Sequence, residues 1–157
     1  MRFINRIVIH CTATPNGKSY PIETIRQWHR ERGFKDVGYH YVIDYDGNVL
    51  RGRKESQVGA HAAGFNANSI GVCLEGGVGG KDKLNPGVYS EAQFNALREL
   101  VDDLVARYPT VESVDGHRDL SPDTDEDGEV EPSEWIKLCP CFDVTYWYAN
   151  RYMKWGV

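Results

Sequence analysis

The 157-residue sequence contains no long apolar run. A membrane-spanning helix needs about 20 consecutive apolar residues, and no stretch of the chain approaches that length. The amino terminus also lacks the apolar core of a secretory signal, because residues 1–6 lead directly into a short strand-like stretch at 7–9. We therefore expect no membrane partner, and synthesis in the cytoplasm without a signal peptide.

Concentrated positive charge is also missing. Residues 1–60 contain ten Lys/Arg and six Asp/Glu, whereas residues 61–157 contain eight and seventeen, and the isoelectric point is about 5.5. A nucleic-acid-binding surface needs basic residues massed on one face, so we expect no nucleic-acid partner. Four cysteines in a chain made in the cytoplasm do not predict a disulfide framework.

The chain does contain an alternation of strand-like and helical patterns. Strands are predicted at residues 7–10, 38–44, 49–51, 69–75 and 111–114, and helices after Pro21, after a capping box at Ser90 and over residues 144–153. This order predicts an α/β fold, in which residues 1–157 form a single domain with a mixed central β-sheet flanked by helices. A chain of this length forms one core, and we expect a monomer.

Two features near the strands leave alternatives open. His10 ends the first predicted strand and Cys11 follows it, and because side chains alternate along a strand, at most one of them can serve a given site. In the second strand, Tyr39, Tyr41 and Ile43 are expected to share one face. The small, glycine-punctuated residues 59–68 form either an ordinary connection or the wall of a binding groove.

Residues 117–139 begin with a histidine, end with a cysteine and are rich in carboxylates. Imidazole and thiolate ligands suit zinc, whereas clustered carboxylates suit calcium. The segment therefore predicts two metal sites of different chemistry. Its acidic part matches the calcium-loop pattern D-x-[DN]-x-[DN]-G-x5-E, with these ligands: Asp123, Asp125, Asp127, the backbone carbonyl of Glu129, and Glu134.

We predict a structural calcium ion in this EF-hand-like insertion at residues 123–134, fastening the chain between His117 and Cys139. The match departs from a full EF-hand in two respects. Leu120-Ser121-Pro122 is a poor entering helix, and there is no second loop to pair with the first. The alternative is an acidic loop that is solvated and binds no ion.

Seven motifs occur together in one order along the chain. They are IVIHCTAT, IRQWHRERGF, DVGYHYVI, DGNV, GAHAAGFNANSIGVCLEGG, GHRDLSP and KLCPCFD. The ordered set resembles the zinc-dependent N-acetylmuramoyl-L-alanine amidases of the peptidoglycan-recognition-protein fold, in particular the small phage endolysins historically called lysozymes. The resemblance covers nearly the whole chain, and the acidic insertion before Lys137 is its main departure.

Carried over residue by residue, the resemblance implies that His10, His117 and Cys139 are zinc ligands and that Tyr39 and Lys137 are catalytic. The residues that it implies for substrate binding are His61, Asn66 and Asn68. The sequence has no HExxH helix, so the carboxylate base of common metalloproteases has no counterpart. Two neutral imidazoles and one thiolate would leave a fourth zinc position open for water.

The activity implied is hydrolysis of the amide between the lactyl group of N-acetylmuramic acid and L-alanine, in bacterial peptidoglycan or muropeptides. The expected setting is a phage or prophage endolysin that acts on the cell wall after release. The alternative is a non-catalytic protein of the same fold that binds peptidoglycan or regulates a polymerase. Relatives that recognise peptidoglycan without cutting it lack the cysteine ligand, and Cys139 is present here.

Overall fold

The computed structural model describes residues 2–78 and 88–153. A glycine-rich loop predicted at residues 76–87 lies only partly within these ranges, and Trp155, predicted to be a packing residue, lies outside them. The strands are β1 (Arg6–Cys11), β2 (Tyr41–Ile43), β3 (Val49–Arg51), β4 (Ser69–Leu74) and β5 (Ser113–Gly116), and the helices are α1 (Ile22–Glu31), α2 (Glu91–Arg107) and α3 (Val144–Ala149). Within the described residues, no helix has the length and apolar character needed to cross a membrane.

The strands form one mixed sheet in the order β3-β2-β4-β1-β5. Strand β1 runs parallel to both of its neighbours, β4 and β5, and β2 is parallel to β4 but antiparallel to β3. The predicted mixed central sheet is confirmed. Because β1 and β5 are adjacent and parallel, their carboxyl ends meet at the same edge of the sheet.

The sheet separates two apolar cores of unequal size. Ile7, Ile9 and Cys11 of β1 belong to the larger core, which includes Leu97 of α2 and Trp147 of α3. The smaller core, on the side of α1, is formed by Ile25, Val37, Val42 and Cys73. His10 alternates with Ile9 and Cys11 along β1, so its side chain lies on the opposite face from theirs, as the strand pattern predicted.

Side chains cap the amino termini of α2 and α3, and the capping box predicted at Ser90 is confirmed. The Ser90 hydroxyl accepts the Gln93 N–H, and the Gln93 side chain accepts the Ser90 N–H, both at 3.0 Å. Asp143 accepts the N–H of Tyr146 at 2.9 Å. Helix α3 ends at Ala149 and not at Met153, because the chain turns there and Arg151 pairs with Asp102 at 2.8 Å.

Strand β2 is shorter than predicted, and this changes the position of Tyr39. The backbone bends at Gly38, where a Cβ would lie 2.3 Å from the carbonyl oxygen of Ala60. Tyr39 therefore precedes the regular strand and packs against the smaller core, whereas Tyr41 and Ile43 lie in the larger one. The expectation that these three side chains share a face is wrong, and the bend turns Tyr39 toward His10.

Candidate active site

Two histidines meet where β1 and β5 end. His10 is the penultimate residue of β1, and His117 begins a 3-10 turn directly after β5. Their ring centroids are 4.6 Å apart. Ligand atoms of His10, His117 and Cys139 all lie within 4.8 Å of one another. The structure thus brings together the three residues predicted as zinc ligands.

Backbone hydrogen bonds hold Cys139 beside the two histidines. The N–H of Arg118 donates to the Cys139 carbonyl at 2.9 Å, and the N–H of Cys11 donates to the Cys139 sulfur at 3.1 Å. The Cys11 side chain and burial raise the pKa of the Cys139 thiol well above its ordinary value, and the backbone N–H of Cys11 offsets this only in part. The thiolate is the form that binds metals. Cys11 therefore supports the cluster through its backbone, and all four cysteines of the chain are free thiols.

The imidazoles of the cluster are held in their neutral form. Burial, followed by His61, His117 and Lys137, lowers the pKa of His10 well below its ordinary value. Burial and Lys137 lower the pKa of His117 to about 4. A neutral imidazole keeps a lone pair for a metal, and two imidazoles with one thiol are a donor set that suits zinc. The residues present therefore fit this ion.

The cluster opens into a cavity of about 620 Å³. Tyr39, His61, Asn66 and Lys137 also line this cavity. The rest of its wall includes Thr12, Arg32, Phe34, Leu120 and Ile136. Asn68 does not line it, since its side chain is exposed beside a separate small depression. The structure therefore brings all but one of the residues predicted for zinc binding, catalysis and substrate binding to a single concave surface.

Tyr39 and Lys137 provide two proton donors of different character. The Tyr39 ring lies between His10 and His29, with centroid distances of 5.1 and 5.3 Å. Burial, and then the Cys73 and Cys139 thiols, raise the pKa of Tyr39 well above its ordinary value, so its hydroxyl stays protonated. Lys137 is exposed at the cavity wall. Its charge lowers the pKa of both His10 and His117.

His61 and Asn66 have partners that the sequence did not indicate. Nδ1 of His61 is 2.8 Å from Nε2 of His10, and Nε2 of His61 is 3.1 Å from the Ser69 hydroxyl. The Asn66 side-chain oxygen accepts the N–H groups of His61 and Ala62, both at 2.9 Å. Ser69 lies within one of the quoted motifs, but only the fold shows that it contacts this histidine.

The acidic loop gathers its carboxylates into two overlapping clusters. One comprises Asp123, Asp125 and Glu134, and the other comprises Asp125, Asp127 and Glu131, each with ligand atoms within 4.8 Å of one another. Gly128 has a φ of 97°, which fits the glycine of the sharp turn in the calcium-loop pattern. Glu131 was not predicted as a ligand, because the sequence pattern leaves its position unconstrained, although position 9 of a calcium loop often contributes through a water molecule.

A His/His/Cys cluster at one edge of an α/β sheet, open to a cavity and flanked by two proton donors, is the kind of site found in metal-dependent hydrolases. Residues 1–132 match the family model described as N-acetylmuramoyl-L-alanine amidase. The chain belongs to this family and is an amidase. The matched residues include His10, Tyr39 and His117, and Lys137 and Cys139 follow them.

Individual proteins give the same result over more of the chain. The endolysin of Enterobacteria phage T3 is 41% identical over 145 residues, which cover 92% of this chain and 85% of that protein. The amidase LysC from Clostridium intestinale has a TM-score of 0.71 at 27% identity, covering 95% of this chain and 85% of that one. The complex of peptidoglycan recognition proteins LCa and LCx with tracheal cytotoxin has a TM-score of 0.62 at 30% identity, covering 75% and 72%. The predicted fold, family and enzyme class are confirmed.

Proposed function

We propose that the chain is a zinc-dependent enzyme that hydrolyses the amide between the lactyl group of N-acetylmuramic acid and L-alanine in peptidoglycan or muropeptides. The observation that carries the proposal is the cluster of His10, His117 and Cys139 at the base of the cavity. The similarity to a phage endolysin and to peptidoglycan recognition proteins supports cell-wall material as the substrate. It also supports action on the wall after release from the cytoplasm.

His10, His117 and Cys139 would hold the zinc ion, which supplies Lewis acidity to activate water and to polarise the scissile carbonyl. Tyr39 and Lys137 then divide the remaining work. The hydroxyl of Tyr39, kept protonated by burial, donates a hydrogen bond to the oxyanion of the tetrahedral intermediate. Lys137, exposed at the cavity wall, supplies positive charge and a proton for the leaving amine of L-alanine.

The test is mass analysis of the products released from purified peptidoglycan by the wild-type chain and by two cysteine variants. Cys139→Ser removes the thiolate, whereas Cys141→Ser is the matched control, because Cys141 is buried in the larger core and lies outside the cluster. The wild type and Cys141→Ser should release peptides that begin with a free L-alanine amine, and a zinc chelator should stop this release. Undiminished release by Cys139→Ser would overturn the ligand assignment.

We also propose that residues 123–134 bind a structural calcium ion. The carboxylate clusters support this, as does Oδ1 of Asp123, a buried oxygen without a hydrogen-bond partner within the described part of the chain. A buried carboxylate oxygen without a donor is costly, and a cation would offset that cost. Burial and the Asp127 carboxylate raise the pKa of Glu131 to about 7, which indicates concentrated negative charge.

Calorimetric titration with calcium at neutral pH tests this second site. The wild type should bind one ion, and Asp123→Asn should bind it more weakly. Glu126→Gln is the matched control, since Glu126 lies in the same loop but in neither carboxylate cluster. If titration of the wild type with calcium produced no binding heat, the calcium site would be excluded. The zinc proposal would be unaffected.

A further inference from the structure

His61 is packed against the zinc-ligand side of β1 and is hardly accessible. Only 8% of its surface is exposed, although it contributes to the cavity wall. Its Nδ1 lies 2.8 Å from Nε2 of His10, and its Nε2 lies 3.1 Å from the hydroxyl of Ser69, which is fully buried. Both ring nitrogens are therefore occupied by protein partners, which leaves neither for a hydrogen bond to a substrate.

The slot around His61 leaves its ring little freedom. A Cβ on Gly71 would lie 2.6 Å from the His61 ring, and a Cβ on Gly59 would lie 2.7 Å from it. These contacts show that the ring rests directly on two glycine backbones. The Asn66 side chain in turn binds the backbone N–H of His61 at 2.9 Å. The ring that meets His10 is thus positioned from two sides.

The hydrogen-bond chain from His10 through His61 to Ser69 has two possible directions. If His61 donated from Nδ1, the neutral His10 ring would carry its proton on Nδ1 and keep no lone pair free for a metal. If His10 donates from Nε2, His61 accepts at Nδ1 and donates from Nε2 to the Ser69 hydroxyl. Only this second direction leaves the Nδ1 lone pair of His10 free.

We propose that His61 and Ser69 are positioning residues for the metal ligand His10: they fix its tautomer and ring orientation so that Nδ1 faces the metal. The inference rests on the zinc site proposed above. It replaces the expectation that His61 binds the muropeptide. Removing a residue that orients a metal-bound histidine typically lowers the metal affinity by about 10- to 100-fold.

The test measures zinc affinity of the full chain by competition with a chromogenic chelator, and the absorption spectrum of the cobalt-substituted protein. His61→Phe fills the slot without an acceptor, and His61→Asn keeps an oxygen near the position of Nδ1. Ser69→Ala removes the outer partner. Asn68→Ala is the matched control, since Asn68 is exposed outside the cavity.

The His61→Phe variant should bind zinc about 10- to 100-fold more weakly than the wild type, and its cobalt spectrum should differ. The His61→Asn variant should recover most of the zinc affinity. The Ser69→Ala variant should lose less zinc affinity than His61→Phe. Wild-type zinc affinity in His61→Phe would overturn the inference, as would a raised KM with unchanged zinc affinity, which would indicate a substrate contact. If His61→Phe does not fold, Ser69→Ala decides: a zinc affinity equal to that of Asn68→Ala would overturn the inference, and a measurable loss would support it. A wild-type chain that binds no zinc would instead refute the proposed function.

Discussion

Glu75 should make the stability of this enzyme fall as the pH rises. It follows β4 directly, and 1% of its surface is exposed. One carboxylate oxygen accepts the N–H of Tyr20 at 2.7 Å, and the other has no hydrogen-bond partner among the described residues. Burial, and then the Asp44 and Asp46 carboxylates, raise the pKa of Glu75 from 4.5 to about 7. The native state therefore holds a proton that the unfolded chain has already lost.

The sign and the size of the effect follow from proton linkage. Between pH 4.5 and about 7 the native state binds more protons than the unfolded state at this residue, so the free energy of unfolding decreases as the pH rises. A tenfold change in an equilibrium constant corresponds to about 1.4 kcal/mol. The raised pKa of Glu75 therefore contributes at most about 3 kcal/mol to the free energy of unfolding at low pH. This contribution is fully lost above pH 7.

Urea denaturation of the wild type and Glu75→Gln, from pH 4 to pH 8, isolates this contribution. The variant cannot ionise, so its stability relative to the wild type should increase by up to about 3 kcal/mol over this range. A buried amide nitrogen without an acceptor adds a cost that does not depend on pH. Glu99→Gln, at an exposed position of α2, is the control. A difference between wild type and Glu75→Gln that stays constant with pH would refute the reasoning.

Two further substitutions address the site itself. Lys137→Met should lower kcat by about 10²-fold or more, because it removes a positive charge next to the reacting groups. Its zinc affinity should stay near the wild-type value. Equal losses of kcat and zinc affinity would assign Lys137 to metal binding. Gly71→Ala should destabilise the fold by about 1–3 kcal/mol in urea denaturation, because the new Cβ would lie 2.6 Å from His61. Zinc affinity should fall with it, and an unaffected zinc affinity would show that the His61 ring can move without disturbing His10.

Two of the proposed metal ligands could be anticipated from a local signal, because His117 and Cys139 bound one short segment rich in metal-binding residue types. His10 follows an apolar strand pattern, and the resemblance carried by the ordered motifs added it to the set. The capping box of α2 could also be predicted from a short stretch of sequence. The position of Tyr39 was predicted wrongly because the bend at Gly38 depends on the carbonyl of Ala60, a residue distant in sequence.

The supporting residues of the site could not be read from the sequence. The contact between His10 and His61 joins residues 51 positions apart, and it exists only because β1 and β4 are paired in the sheet. Glu75 is a comparable case. A glutamate followed by two glycines gives no signal of burial, whereas the folded chain buries Glu75 and pairs it with the N–H of Tyr20.

The structure also changes what the acidic insertion is expected to do for the zinc site. Protein contacts close the base of the insertion: the Ser121 hydroxyl accepts the N–H of Ile136 at 3.2 Å, and the Arg118 guanidinium lies 3.9 Å from the centroid of the Trp135 ring. The Arg118 N–H then holds the carbonyl of Cys139. These contacts lie between the carboxylate clusters and the metal ligands.

Calcium is therefore expected to order residues 123–134 while leaving the zinc ligands where they are. This replaces the expectation from the sequence that calcium fastens the chain between His117 and Cys139. Chelation of calcium alone should increase proteolysis within the insertion. The zinc affinity should stay within about twofold of that of the calcium-loaded protein, because the hydrogen bonds at the base of the insertion persist. A Ser121→Ala variant, which opens that base, should lose more zinc affinity than Asp123→Asn. The reverse order would show that the ion, and not the protein contacts, positions Cys139.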